Sequence, residues 1–295
     1  MMYYRRKIIL ALLEIFDGKL EKIRLQKLLF LFCQRQTKAE YDFIPYKYGC
    51  YSYSATADLT TMVQKGFLAD DNYGLSKIDK ISYLKSIKED DKKYLFEIKK
   101  LYGTLDGNAL MRHTYINYPY FAINSVKAKE LLSTDDFKKV NSTKPTSDKT
   151  ILYTIGYEGI SLEEYLNRLI KNNVQVLVDV RKNPLSMKYG FSKSLLKRFC
   201  ESIGIQYVHF PEVGIASDQR QELNCQEDYD KLFKVYKTNN LITTTQTQSA
   251  IFDTLKSNKR IALTCFESNI CQCHRKPLAE AIASLPGFNF ELKHI

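Results

Sequence analysis

The chain has 295 residues, of which 44% are hydrophobic and 26% are charged, a composition typical of a globular protein long enough for two domains. No apolar run approaches the roughly 20 residues of a membrane span, and the apolar start of the chain has helical periodicity rather than the layout of a signal peptide. We therefore expect no membrane partner, and seven cysteines without an export signal predict reduced thiols and a cytoplasmic protein.

Positive charge is concentrated in the first half of the chain. The net charge is +11, and residues 1–149 hold 26 Lys and Arg against 18 Asp and Glu. Such an excess is expected of a domain that meets a polyanion. A lysine-rich solvated surface explains the charge equally well.

The composition changes clearly once along the chain. Residues 133–149 are rich in Ser, Thr, Asp and Lys and poor in large apolar side chains, which is typical of a linker. We therefore predict a first domain at 1–132, a linker at 133–149 and a second domain at 150–295.

The first domain begins with two apolar stripes of helical period, at 8–16 and 23–32. Ser54 is the expected N-cap of a third helix that ends near Lys65, before Gly66. A pair of short strands follows. The order helix, helix, helix, hairpin predicts a winged helix-turn-helix-like α+β domain, with a helical extension up to residue 132.

The segments "RLQKLLFLF" and "FIPYKYGCYSYSATADLTTMVQKGFL" resemble small winged-helix regulators and antitoxin-like domains. The resemblance implies that the third helix would dock on DNA, with Lys47, Lys65 and Lys77 as candidate nucleic-acid contacts. Lys65 is the only cation on that helix and Asp58 opposes it. A protein-binding or structural winged helix therefore stays open as an alternative.

Apolar strands alternate with amphipathic helices throughout the second domain. This pattern predicts a Rossmann-like, three-layer α/β domain whose mostly parallel sheet is covered on both faces. The predicted strands lie at 151–157, 174–181, 205–210, 260–266 and 288–295, and the predicted helices at 162–171, 193–202, 227–238, 246–257 and 277–284.

Ligands of such sheets bind beyond the carboxyl ends of the strands, and four of the predicted strands end in polar side chains. The chemistry-bearing residues at these ends are Gly156, Tyr157, Glu158, Asp179, Arg181, Ser186, His209, Glu212, Cys265 and Glu267, followed by Cys271, Cys273, His274 and Arg275. We expect them to gather at one edge of the sheet.

Four blocks in this half, "TIGYEG", "LVDVRKNPLSMKYGFSKSLL", "GIQYVHFPEVG" and "IALTCFESNICQCHRKPLA", resemble domain-of-unknown-function family 488. The resemblance covers about 150–295 and implies a Rossmann-like domain of bacteria and archaea with a role in nucleic-acid or nucleotide biology, for which base removal has been suggested. The matching positions are Gly156, Tyr157, Asp179, Arg181, Pro184, Ser186, Phe191, Glu212, Cys265, Glu267, Cys273, His274 and Arg275. Cys271 falls in a variable spacer.

A metal site is the first chemistry that the cysteine-rich segment raises. Structural zinc takes four ligands, usually in two close pairs, and the adjacent Cys273 and His274 are not expected to face one ion. The prediction is therefore for no metal and no cofactor, with zinc at Cys265, Cys271, Cys273 and His274 as the minority alternative. Cys273 is also a candidate nucleophile, because it precedes a helix and neighbours His274 and Arg275.

An anion site accounts best for the remaining polar residues. Arg181 and Arg275 are the expected phosphate clamps, with His274, Ser186, Gly156 and Glu212 as further ligand contacts. Asp179 and Glu267 are the candidate acid–base carboxylates, joined by Glu158. Tyr157 is a further candidate catalytic residue that would stack or hydrogen-bond, and Phe191 is a candidate for stacking on a base. The alternative is that Asp179–Arg181 and Glu267–Arg275 are ion pairs that hold loops together.

Two functions are consistent with these patterns. The first is a prokaryotic hydrolase directed at a nucleic acid or nucleotide, such as a base glycosylase or nuclease, brought to DNA rather than RNA by the winged helix and acting in defence or DNA maintenance. The second is a non-catalytic regulator or antitoxin-like protein whose α/β domain binds a small anionic ligand. A homo-oligomer is compatible with either.

Overall fold

The computed structural model describes residues 2–216, 219 and 223–295, and the chain divides into two units, Met1–Lys144 and Pro145–Ile295. Residues 133–149, the expected linker, include a helix, Thr134–Ser142, which is capped by the Ser133 side chain and has Val140 buried. In the part of the chain that the structure describes, no helix is long and apolar enough to cross a membrane.

The N-terminal unit is α+β, with most of its helices packed on two small antiparallel sheets and on one another. One sheet has the strand order β1-β5-β4, and the other pairs β2 with β3. The elements are α1 Tyr4–Ile15, β1 Lys19–Leu20, α2 Lys22–Cys33, β2 Ile44–Tyr46, β3 Gly49–Tyr51, α3 Tyr53–Gln64, β4 Leu68–Asp71, β5 Gly74–Lys77, α4 Glu89–Tyr102, α5 Gly107–Asn117, α6 Ala128–Leu131 and α7 Thr134–Ser142.

Two local expectations for the third helix, α3, are wrong. Its N-cap is Ser52, whose hydroxyl accepts a hydrogen bond from the amide of Ala55 at 3.1 Å, and not Ser54. Asp58 does not oppose Lys65 on the surface, because it is 1% exposed and pairs with Arg5 and Arg6, each at 2.6 Å. The exposed face of α3 therefore carries less negative charge than its sequence indicates.

The C-terminal unit is a five-stranded, all-parallel sheet with the order β10-β6-β9-β7-β8. Alternate strand residues face opposite sides: Leu152, Val178 and Leu263 join the core formed with α10–α12, whereas Thr264 accepts a hydrogen bond from Tyr165 of α8. The elements are β6 Ile151–Gly156, α8 Leu162–Lys171, β7 Val176–Asp179, α9 Lys193–Ser202, β8 Gln206–His209, α10 Gln226–Val235, a π-helix at Tyr236–Leu241, α11 Thr245–Asn258, β9 Arg260–Cys265, α12 Arg275–Ala283 and β10 Glu291–His294.

The strand order brings the ends of β6, β7 and β9 together. Strand β9 lies between β6 and β7, with Gly156 opposite Cys265 and Asp179 opposite Thr264. Their strand interiors are continuous apolar runs because helices cover both faces of the sheet. Polar groups collect where the strands stop, at the carboxyl edge where α/β sheets bind ligands.

Candidate functional site

A pocket of about 300 Å³ opens at the carboxyl edge of the sheet. Its lining comes from the ends of β6, β7 and β9 and from the loop after β7. Five of the residues that the sequence placed at this edge are among those that line it: Tyr157, Arg181, Ser186, Cys265 and His274. The structure therefore brings these five side chains together at one edge of the sheet.

Asp179 and Arg181 form a buried, two-pronged ion pair at the wall of this pocket. Arg181 donates from Nε to Asp179 Oδ1 at 2.8 Å and from Nη2 to Oδ2 at 2.5 Å. Tyr207 donates its hydroxyl to the same Oδ2 at 2.5 Å. Asp179 is 0% exposed, and its carboxylate helps to raise the pKa of Arg181. The pair has the geometry of a brace between β7, β8 and the following loop.

The two aromatic residues expected to stack on a base stack on each other. The rings of Tyr157 and Phe191 are nearly parallel, 4.2 Å apart, and both residues are buried. Arg181 Nη1 donates to the Tyr157 hydroxyl and to the Phe191 carbonyl, each at 2.8 Å. Burial raises the pKa of Tyr157. This packing holds the loop after β7 in place, and His209 Nε2, 2.9 Å from the Arg181 carbonyl, adds to it.

Gly156 lets the loop after β9 approach the end of β6. A Cβ at this position would lie 2.0 Å from the carbonyl oxygen of Glu267 and 3.1 Å from Arg275 Nη2. Arg275 is 2% exposed and donates from Nη1 to that same carbonyl at 2.5 Å. Glu158 accepts hydrogen bonds from the amide and hydroxyl of Ser268, at 3.0 and 3.1 Å. Glu158 and Arg275 thus hold the backbone of the loop that carries Glu267.

Three side chains with metal-ligand chemistry converge beside the pocket. One ligand atom each from Cys265, Cys273 and His274 lies within 4.8 Å of the other two, and all three residues are buried. Burial raises the pKa of Cys273. The expectation that Cys273 and His274 cannot face a common point is wrong, because Cys273 ends a 3-10 turn and His274 caps α12, so the backbone changes direction between them. Cys271 is exposed and does not belong to the group.

The carboxylate of Glu267 lies next to this cluster. Its Oε2 is 3.3 Å from Cys265 Sγ, which donates to it, and Cys265 Sγ is 3.6 Å from His274 Nδ1. The other ring nitrogen of His274, Nε2, is 3.0 Å from the carbonyl oxygen of Val180. Because a carbonyl only accepts hydrogen bonds, Nε2 of His274 is the donor in this contact, and Nδ1 is the ring nitrogen that faces Cys265.

Some of the expected site residues lie outside the pocket, and some lining residues were not expected. Glu212 is exposed on the turn Pro211–Val213 and does not line the pocket. The other expected site residues that do not line it are Gly156, Glu158, Asp179, Glu267, Cys273 and Arg275, and Glu267 reaches its wall through the contact with Cys265. Lys182 and Phe266, which do line it, were not predicted. Lys182 directly follows Arg181, and Phe266 directly follows Cys265. Their positions after strand ends were therefore the sequence feature that could have identified them.

The three candidate nucleic-acid lysines of the N-terminal unit differ in exposure. Lys47 and Lys65 are exposed. The Lys77 side chain is 9% exposed, and its Nζ lies 2.8 Å from Asp79 Oδ1 and 2.7 Å from the Asp79 carbonyl. Lys77 is therefore neutralised within the β4–β5 hairpin and contributes little to a phosphate-binding surface.

No curated protein matches the chain. Residues 161–282, from the start of α8 to α12, match the family model described as "Domain of unknown function DUF488". The matched range contains Asp179, Arg181, Glu267 and the Cys265–Cys273–His274 cluster, so the family resemblance that the sequence motifs indicated is confirmed for the C-terminal half of the chain.

Proposed function

We propose that the C-terminal unit is a hydrolase acting on a nucleotide, or on a nucleotide unit of a nucleic acid, and that the pocket at the ends of β6, β7 and β9 is its active site. The observation that carries the proposal is the composition of the pocket wall. It combines an accessible ring, Phe266, with the cation Lys182 and the hydroxyl of Ser186, and it adjoins the Glu267 carboxylate.

Several residues take roles in this proposal that differ from those expected from sequence. Asp179 and Arg181 act as a positioning pair, because their charged groups are occupied by each other and by Tyr157 and Tyr207. Tyr157 packs under the loop. Phe266, 42% exposed, replaces Tyr157 and Phe191 as the surface on which a base stacks. Lys182 and Ser186 contact the phosphate.

Glu267 is the acid–base group of the proposed reaction. It takes a proton from water while the water oxygen forms a bond to the atom under attack, and it returns that proton to the leaving group as the bond to that group breaks. The carboxylate is held at the site by its neighbours, since Arg275 fixes the Glu267 carbonyl and Glu158 fixes the amide of the next residue.

We further propose that the N-terminal unit brings the enzyme to DNA through α3 and the exposed Lys47 and Lys65, in the cytoplasm of a prokaryotic cell and in a defence or DNA-maintenance role. The concentration of positive charge in residues 1–149 supports this part. Removal of the negative charge of Asp58 from the surface of α3 supports it as well.

The test is a product assay with the full-length protein. Labelled single- and double-stranded DNA, RNA and mononucleotides are incubated with wild type, Glu267→Gln and the matched control Glu212→Gln, and products are identified by mass spectrometry. We expect turnover by wild type and control, and a loss of about 10²–10⁴-fold in Glu267→Gln. Tight ligand or DNA binding with no product from any substrate would instead favour a regulator, the alternative function.

A further inference from the structure

The cluster of Cys265, Cys273 and His274 has the composition of a transition-metal site. Two thiols and an imidazole bind zinc in preference to magnesium or calcium. They come from two elements: Cys265 ends β9, whereas Cys273 and His274 immediately precede α12. A metal bound to them would tie the end of the central strand to the start of a helix.

The spacing of the ligand atoms agrees with tetrahedral coordination. Bonds of about 2.3 Å to sulfur and 2.0–2.1 Å to nitrogen place the two ligand atoms about 3.6 Å apart around a tetrahedral zinc ion. Cys265 Sγ and His274 Nδ1 are 3.6 Å apart. The three ligand atoms thus already lie at distances that one ion can bridge with small side-chain movements.

The orientation of His274 is a second, independent observation. Metal-binding histidines almost always donate their other ring N–H to a carboxylate, a backbone carbonyl or water, which fixes the tautomer that binds the metal. Here Nε2 donates to the carbonyl of Val180, directly after β7, which leaves Nδ1 facing Cys265 Sγ at 3.6 Å. This is the ring orientation that a metal-binding His274 requires.

We propose that Cys265, Cys273 and His274 bind one Zn²⁺ ion and that a water molecule, hydrogen-bonded to Glu267, occupies its fourth position. The role of the water rests on the proposed function, whereas the three protein ligands do not. Catalytic zinc sites keep three protein ligands and one exchangeable position. Cys265 and His274 line the pocket, so the proposed ion lies at its wall.

The placement of Glu267 supports a non-ligand role. In zinc deaminases a ligand-x-Glu spacing puts a glutamate beside the metal-bound water, where it transfers protons without binding the metal. Cys265 and Glu267 have the same spacing. A zinc ion held by Cys265, Cys273 and His274 would make the water a better nucleophile. Glu267 would take a proton from that water as its oxygen bonds to the substrate, and would return the proton to the leaving group as the bond to that group breaks, so that charge and atoms balance.

Metal content and cobalt spectroscopy test the ligands without an activity assay. Full-length protein stripped with a chelator is titrated with Zn²⁺, or with Co²⁺, whose thiolate complexes absorb visible and near-ultraviolet light. We expect one ion per chain in wild type and in the control Cys271→Ser. In Cys265→Ser and His274→Ala the affinity for the metal should fall by at least about 10–100-fold. Because a variant can misfold, the wild-type protein provides the decisive result. Absence of cobalt–thiolate absorption in wild type would overturn the metal site. A Cys265–Cys273 disulfide, detected as the loss of two free thiols, would overturn it as well.

Two further measurements test the fourth position. Azide, which displaces metal-bound water, should change the Co²⁺ spectrum of wild type, and Glu267→Gln should keep its zinc. An azide-insensitive spectrum, or loss of zinc from Glu267→Gln equal to that from Cys265→Ser, would overturn the bound water. One zinc per chain with no turnover of any substrate would support the three zinc ligands and contradict the proposed hydrolase function. Turnover that survives complete removal of the metal would contradict only the catalytic role of the metal-bound water.

Discussion

Tyr157 and Arg181 are joined by a 2.8 Å hydrogen bond from Nη1 to the phenol oxygen, although 24 residues separate them in the chain. The bond connects the end of β6 to the end of β7, strands that are not neighbours in the sheet because β9 lies between them. The side chains of Tyr157 and Arg181 thus link β6 and β7 across the end of β9. The loop after β7, which supplies Lys182 and Ser186 to the pocket, depends on this connection.

The ion pair of Arg181 and Asp179 should be essential for stability. In Asp179→Ala the guanidinium would stay buried without its carboxylate, which costs about 3–5 kcal/mol. The free energy of unfolding, measured with urea, should fall by that amount. The matched control is Glu164→Ala, which removes the partly exposed pair with Arg168 and should cost at most about 1 kcal/mol. Equal effects of the two variants would contradict the bracing role.

Gly156→Ala should disrupt the loop that carries Glu267. The new Cβ would lie 2.0 Å from the Glu267 carbonyl, which is a clash with backbone, so the loop after β9 must move. We expect a loss of stability of about 1–3 kcal/mol and, in a product assay, lower turnover. Gly107→Ala, whose Cβ would meet no atom closer than 3.6 Å, is the control. An unchanged unfolding free energy for Gly156→Ala would show that the close approach is not required.

His294 should make the C-terminal unit less stable in mild acid. Burial, together with Arg275 and Lys276, lowers its pKa below the usual 6.5, so the unfolded chain binds the proton more readily than the folded one. The contribution of neutral His294 to the free energy of unfolding is therefore fully present above the pKa of the unfolded chain, and it decreases as the pH falls below about 6.5.

Amide hydrogen exchange of β10 reports this change, since Leu292 and His294 pair with β6. The opening free energy of β10 should decline between neutral pH and pH of about 5, and His294→Gln should remove the His294 part of the decline. If the pH dependence of β10 were the same in wild type and His294→Gln, the histidine would not be its cause.

DNA binding by the N-terminal unit should depend on Lys47 and Lys65 but little on Lys77. Replacing an exposed lysine that contacts phosphate weakens binding to all sequences and lowers the slope of log K against log salt by about 1. Lys77 is paired with Asp79, so Lys77→Met should leave that slope unchanged. Fluorescence anisotropy at several salt concentrations measures it. Loss of binding in Lys77→Met alone, in a folded variant, would contradict this assignment.

The fold followed from local patterns. Helices α8 and α9 begin and end at the residues that apolar periodicity indicated, and each strand of the parallel sheet lies within its predicted range. Buried strands and amphipathic helices repeat with periods that the backbone geometry imposes on any chain. The position of Gly66, with φ +71°, likewise follows from local chemistry.

Tertiary structure decided which partners the polar residues contact. The sequence placed Asp179, Arg181, Glu267 and His274 at strand ends, but hydrogen-bond partners come from any part of the chain. Only the folded structure shows that Asp179 is closed off by Arg181 and Tyr207, that Tyr157 stacks on Phe191, and that Cys273 joins Cys265 and His274.

The sequence by itself thus determined where the strands end and which stretches of chain follow them at the carboxyl edge of the sheet, because strand and helix periodicity act over a few neighbouring positions. It did not determine which of them face each other. That choice depends on the strand order, which inserts β9 between β6 and β7, and on the turn before α12, which points Cys273 and His274 towards Cys265. Both are set by packing between distant segments, and local periodicity carries no information about it.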